Sequence, residues 1–137
     1  HTLEATVRVV QVQTHTVLGQ IYQAGNLHKP LCLLAYYADG QVKLILNQVP
    51  AGGQALTTVV AQVQPGAQFK YVLELSDLNL AVNVDGQTTN IKVPLVYGGT
   101  QFYFKAGNYD QDSHAGPVSD LPDAEVHFYK LTLKHQS

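Results

Sequence analysis

The stretch YFKAGNYDQ, residues 103–111, puts Tyr103, Lys105, Tyr109 and Gln111 at odd positions and Phe104 and Ala106 at even ones. Successive side chains of a β-strand point to opposite faces. Taken as a strand, with Phe102 before it, the segment turns Phe102, Phe104 and Ala106 toward a core. The other face then carries two phenols, an ammonium and an amide. The motif predicts a sheet with one apolar face and one face suited to polar contact.

The same period spreads outward along the chain. LEATVRVVQV (3–12), TVLGQIY (16–22), LCLLAYY (31–37), QVKLILNQV (41–49), ALTTVVAQV (55–63), FKYVLELS (69–76), NLAVNVDG (79–86), TTNIKVPL (88–95) and AEVHFYKLTL (124–133) all read as strands. Asp39-Gly40 and Asp85-Gly86 are hairpin signals, and Pro65-Gly66 marks another turn. DQDSHAGPVSDLPD (110–123) is too rich in Gly, Pro and Asp for a helix and is expected to be a loop. Many short strands and no convincing helix predict one all-β domain over residues 1–137, an antiparallel sandwich or jelly roll.

Parity assigns further faces. In VLGQIY, Val17, Gly19 and Ile21 are expected to share the core face, with Gln20 and Tyr22 opposite. In QVKLILN, Lys43 and Asn47 oppose Val42, Leu44 and Leu46. Phenols and amides on a sheet face suit carbohydrate, because they join flat apolar surface to hydrogen bonds. A solvated outer sheet face would show the same pattern.

Composition narrows the partners. The chain of 137 residues is 45% hydrophobic and 13% charged, with a formal net charge of -2. That balance argues for a packed core and against disorder. A single arginine, Arg8, is a poor footprint for duplex nucleic acid. No apolar run is long enough to span a bilayer as a helix, so no membrane partner is expected. The one cysteine, Cys32, lies in the apolar run PLCLLAYY and is expected to be buried and inert. His1, His15, His28, His127 and His135 have no metal-ligand spacing and are expected to be structural or solvated. Asp110, Asp112, Asp120 and Asp123 fit no calcium-loop pattern. No metal or cofactor is expected.

YFKAGNYDQ resembles the C-terminal motif of family 7 alginate lyases, of the form YFKAGxYxQ. GQIY at 19–22 is similar to that family's Gln-Ile-His strand motif. The resemblance implies a β-jelly roll whose concave sheet face is a groove for an anionic polysaccharide, alginate or a related polyuronate such as glucuronan. It implies cleavage of the 4-O-glycosidic bond by β-elimination, in a secreted or periplasmic protein. Gln20 would donate to the substrate carboxylate, and Tyr109 would be the catalytic tyrosine. Lys105, Tyr103 and Gln111 would bind the chain, with Lys43 and Asn47 added from parity. Tyr22 stands at the family's histidine position, so Tyr22 or His114 would have to supply that function. Arg8 does not match the family's N-terminal Arg-x-Glu-x-Arg strand. More N-terminal sequence, or a separate segment completing the sheet, is therefore expected. A non-catalytic carbohydrate-binding jelly roll is the alternative.

Overall fold

The computed structural model describes residues 1–12, 14–24, 29–110 and 124–134. These hold ten strands: β1 (Thr2–Val12), β2 (His15–Gln23), β3 (Pro30–Tyr37), β4 (Gln41–Asn47), β5 (Ala55–Gln62), β6 (Gln68–Ser76), β7 (Asn79–Val84), β8 (Gln87–Lys92), β9 (Phe102–Asp110) and β10 (Ala124–Lys134). They form two five-stranded sheets, ordered β10-β1-β6-β7-β8 and β5-β4-β3-β2-β9. Every pairing is antiparallel. The sheets face each other with β9 against β10 and β5 against β7 and β8. This is the expected jelly roll. The polar stretch 111–123 lies outside the described residues.

Turn chemistry fixes the local hairpins. Asp85 and Gly86 both have positive φ, 50° and 88°, as a two-residue turn matched to strand twist requires. The Asp85 carboxylate accepts from the Lys70 N–H at 2.9 Å, and Asn83 Oδ1 accepts from the Gly86 N–H at 2.9 Å. β4 and β5 end short of the predicted Val49 and Val63, at Asn47 and Gln62, and β8 is cut back furthest. β8 stops at Lys92 instead of reaching Leu95, because Pro94 has no N–H to give the ladder. A 3₁₀ turn at Leu95–Tyr97 follows, and the buried Tyr97 hydroxyl donates to the Asn47 carbonyl at 2.9 Å.

The core lies between the sheets. Leu3, Ala5, Val7, Phe69, Tyr71 and Leu73 from one sheet meet Ile21, Cys32, Leu34, Leu44 and Leu46 from the other. Phe102, Phe104 and Ala106 of β9 pack against this cluster. Cys32 is fully buried, and burial pushes its thiol up to about 12. Such a thiol holds its proton and is a poor nucleophile.

The expected parity of β2 fails at one point. Leu18, not Val17, joins the core cluster. The register against β3 and β9 shifts between Val17 and Gly19, which makes a β-bulge. The extra residue moves Leu18 inward and aligns Val17 with Ala35 and Lys43, on the opposite face. Tyr71 from the facing sheet secures the bulge by donating to the Leu18 carbonyl at 2.8 Å. Only glycine fits beside that hydroxyl, because a Cβ on Gly19 would stand 2.9 Å from Tyr71 Oη. Gly19→Val is expected to cost about 1–3 kcal/mol of stability through overpacking. Tyr71→Phe is expected to cost about 1 kcal/mol by leaving that carbonyl unpaired. Urea denaturation measures both, and an unchanged midpoint for Gly19→Val would detach Gly19 from the packing of Tyr71.

β9 is an edge among the described strands. Above it in the sandwich, Leu131 and Leu133 of β10 stand opposite the core residues Ala5 and Leu3, yet are 52% and 46% exposed. The core is thus uncovered beside the β9 edge. Arg8 lies in the other sheet, where its Nε donates to the Gly66 carbonyl at 2.8 Å.

Candidate carbohydrate site

The bulge at Leu18 and the small Gly19 set Gln20 on the outer face of the second sheet. Gln20 stands opposite Lys105 on β9 and Leu33 on β3, and Tyr22 stands opposite Tyr103. Facing residues of an antiparallel pair project to the same side. The Tyr22 and Tyr103 rings stack with centroids 5.8 Å apart. Lys105 Nζ sits 4.2 Å from the Tyr22 centroid and 5.8 Å from that of Tyr103. The two π faces hold the ammonium in place electrostatically. Gln20 is only 4% exposed, and its Oε1 is buried with no hydrogen-bond partner among the described residues. An unpaired buried acceptor costs about 1–3 kcal/mol. Such groups are few in folded proteins, and a role in catalysis is one of the reasons for keeping them.

The remaining sequence candidates fall around this cluster. Tyr109 occupies the register position opposite Val17 on β2, one row from the Gln20–Lys105 pair and in the same sheet. Gln111 and His114 lie outside the described residues. Lys43 is on β4, two strands from Gln20, with its Nζ 4.2 Å from the Tyr37 ring. Asn47 gives its amide to the Pro30 carbonyl at 2.8 Å, which commits it to joining β4 to β3.

Two residues of this face escaped the sequence reading. His15 stands opposite Tyr37, and their rings stack at 4.8 Å. Counted by unbroken alternation, His15 has the parity of Ile21 and belongs inside. The bulge at Leu18 reverses that. Tyr37 could have been found from Lys43, since the Asp39-Gly40 hairpin places both on one side.

Among the described residues, no group of three His, Cys, Asp or Glu side chains is placed to hold a metal ion. No helix among them is long and apolar enough to cross a membrane. A cavity of about 660 Å³ lined by His1, Leu75, Asp77, Tyr97, Thr100 and Phe102 includes none of the site residues.

The two-sheet jelly roll thus presents an amide, stacked phenols and a held ammonium from one sheet face. The family model for alginate lyase matches residues 1–135, and the chain belongs to that family. No match exists among curated proteins. Among solved structures, alginate lyase PA1167 from Pseudomonas aeruginosa superposes with a TM-score of 0.84 at 28% identity, over 98% of this chain and 64% of that one. Alginate lyase A1-II′ gives 0.83 at 22% identity, over 98% and 61%. An alginate lyase from Klebsiella pneumoniae gives 0.73 at 20%, over 96% and 58%. A1-II′ has also been solved with product and with substrate oligosaccharides. The chain spans less than two thirds of the length of these three structures. The latter two, under 25% identical, speak for the fold alone.

Proposed function

We propose that the protein is a polysaccharide lyase that cleaves a polyuronate such as alginate by β-elimination at the 4-O-glycosidic bond. The observation that carries this is the meeting of Gln20, Lys105, Tyr22 and Tyr103 on one sheet face, with Tyr109 in the adjoining row. Family membership supports it.

The chemistry needs these groups. The C5 proton of a uronate is weakly acidic because its loss places negative charge beside a carboxylate. The Gln20 amide donates to that carboxylate and stabilises the enolate as it forms. Lys105 offers the anionic chain a fixed cation, and Tyr103 and Tyr22 offer ring surface and hydroxyls. A base removes the C5 proton, the C4–O4 bond breaks, a C4=C5 double bond forms, and O4 takes a proton. Tyr109 supplies the O4 proton, and a phenolate at Tyr109 or Tyr22 takes the one from C5. A polymeric substrate too large to enter a cell supports a secreted or periplasmic protein.

The β9 edge, unpaired among the described strands, and the half-covered Leu131 and Leu133 fit a further strand, of the kind that the part of the Pseudomonas aeruginosa lyase not spanned by this chain would supply. That strand brings the arginine that Arg8 cannot supply. In a form carrying it, β9 amides are expected to exchange with solvent more slowly than in residues 1–137 alone. Equal exchange would leave the edge open.

Tyr22 at the family's histidine position favours a second reading, a carbohydrate-binding module without turnover. The two separate in one assay, the ultraviolet absorbance of unsaturated uronate product. Polymannuronate, polyguluronate and glucuronan are each supplied in turn. A rise on any of them supports the lyase. Binding without a rise on all of them supports the module.

A further inference from the structure

Among the described residues, the large apolar side chains that stay exposed fall, apart from Val10, into two groups. Tyr129, Leu131 and Leu133 of β10 border the β9 edge, where the proposed further strand would run. The second group lies at the other ends of the two sheets. Leu56 and Val59 of β5 are 55% and 53% exposed, and Leu95 and Val96 of the 3₁₀ turn are exposed too. The Tyr97 hydroxyl bonds the Asn47 carbonyl, and Asn47 pairs with Ala55 at the start of β5, so turn and strand share one rim. Exposed apolar surface of this kind marks a place of contact.

β5 is also an edge strand, and it lacks the protection that the other edges carry. Among the described strands the edges are β5, β8, β9 and β10. β8 has Lys92, β9 has Lys105 and Asp110, and β10 has Lys130 and Lys134. β5, ALTTVVAQ, has neither charge nor proline, and the whole run 44–69 holds no Asp, Glu, Lys, Arg or His. Charged side chains and prolines keep an edge from pairing with another chain, because pairing would bury the charge or leave a carbonyl without a donor. A bulge at Val60 breaks the ladder between β4 and β5 and leaves Ala55–Val59 regular. Thr57, Thr58 and Val59 are β-branched and suit cross-strand pairs.

A second copy of this chain fits that edge. A two-fold axis beside it sets two β5 strands antiparallel, the direction that every pair in these sheets has. The Ala55 end of one copy, with Leu95 and Val96, then meets the Val59 end of the other. An identical uncharged strand brings no repulsion. Residues of the same chain ahead of His1 fit less well. The His1 nitrogen donates to the Leu75 carbonyl and its ring lies 6.4 Å from that of Phe104, so such residues would enter beside β9. β9 and β5 are four strand spacings apart, about 19 Å.

We propose that the Ala55–Val59 segment of β5 is a self-association edge, through which two copies join their second sheets into one antiparallel sheet. Closure by the two-fold leaves no β5 edge for a third copy. So short a segment makes a weak dimer that dilution separates. β5 carries no residue of the proposed site, so the association stands apart from the substrate.

Sedimentation velocity over a wide concentration range tests this, on the wild type, Thr57→Lys, Thr57→Val and, at a different edge, Asn90→Lys on β8. The wild type should sediment as a dimer that dissociates on dilution. Thr57 is exposed, so lysine there should fold. Two lysines brought together across the axis should raise the dissociation constant about tenfold or more. Thr57→Val and Asn90→Lys should dimerise like the wild type. Hydrogen exchange at the β5 amides of the wild type should slow as concentration rises, a readout that needs no variant to fold. A wild type that is monomeric throughout, a dimer that Thr57→Lys leaves intact or that Asn90→Lys abolishes, or β5 exchange independent of concentration would overturn the proposal.

Discussion

Tyr109→Phe is expected to lower turnover on polyuronate by about 10²–10⁴-fold, the usual worth of an acid–base group. The substitution deletes one oxygen and keeps the ring. It also leaves untouched the backbone pairing of Tyr109 with Val17 that holds this end of β9 to β2. Folding should therefore survive, as thermal unfolding would report. The split between constants matters as much as the loss. A group that gives O4 its proton acts only as the bond breaks, so kcat should fall while KM stays close to wild type. A Tyr109 that only binds sugar would give the reverse, a raised KM with kcat preserved. That pattern would remove Tyr109 from the chemistry.

Gln20→Leu is expected to lower kcat by about 10²–10³-fold, as removal of one fixed donor to a developing oxyanion does. Its effect on stability should have the opposite sign. Gln20 is almost fully buried, and its Oε1 has no partner among the described residues. Leucine fills similar space without that unpaired acceptor, whose burial costs about 1–3 kcal/mol. The unfolding midpoint should stay level or rise. Activity lost while stability is kept or gained marks a residue retained for function at structural cost. A large drop in both would instead make Gln20 a structural residue that a hydrogen bond outside the described segments sustains.

Much of this was legible in the chain because local rules carried it. The period of two gave the strands, and the alternation of Phe102, Phe104 and Ala106 against Tyr103 and Lys105 gave both faces of β9. Asp85-Gly86 gave a hairpin because few residues besides glycine accept the second positive φ of its turn. The pairing of β9 with β2 could not be read from alternation, since about eighty residues separate them and nothing local encodes the contact. It came only through family resemblance. The bulge at Leu18 was hidden for a different reason. Its cause is Tyr71, a residue of the facing sheet that bonds the Leu18 carbonyl. A parity count assumes an unbroken ladder, so it sent Val17 inward and left His15 and Tyr37 unnoticed. Pro94 was visible and should have ended β8 earlier.

The proposed function turns on bond chemistry, which binding alone does not test. β-Elimination makes a double bond and consumes no water, whereas hydrolysis places a solvent oxygen in the product. The most direct measurement is the mass spectrum of oligosaccharides released from polyuronate in heavy-oxygen water. The expected products carry an unsaturated terminal uronate and no heavy oxygen from the cleavage step. Products that carry heavy oxygen at the cleaved position, or polymer left intact by folded protein, would contradict it.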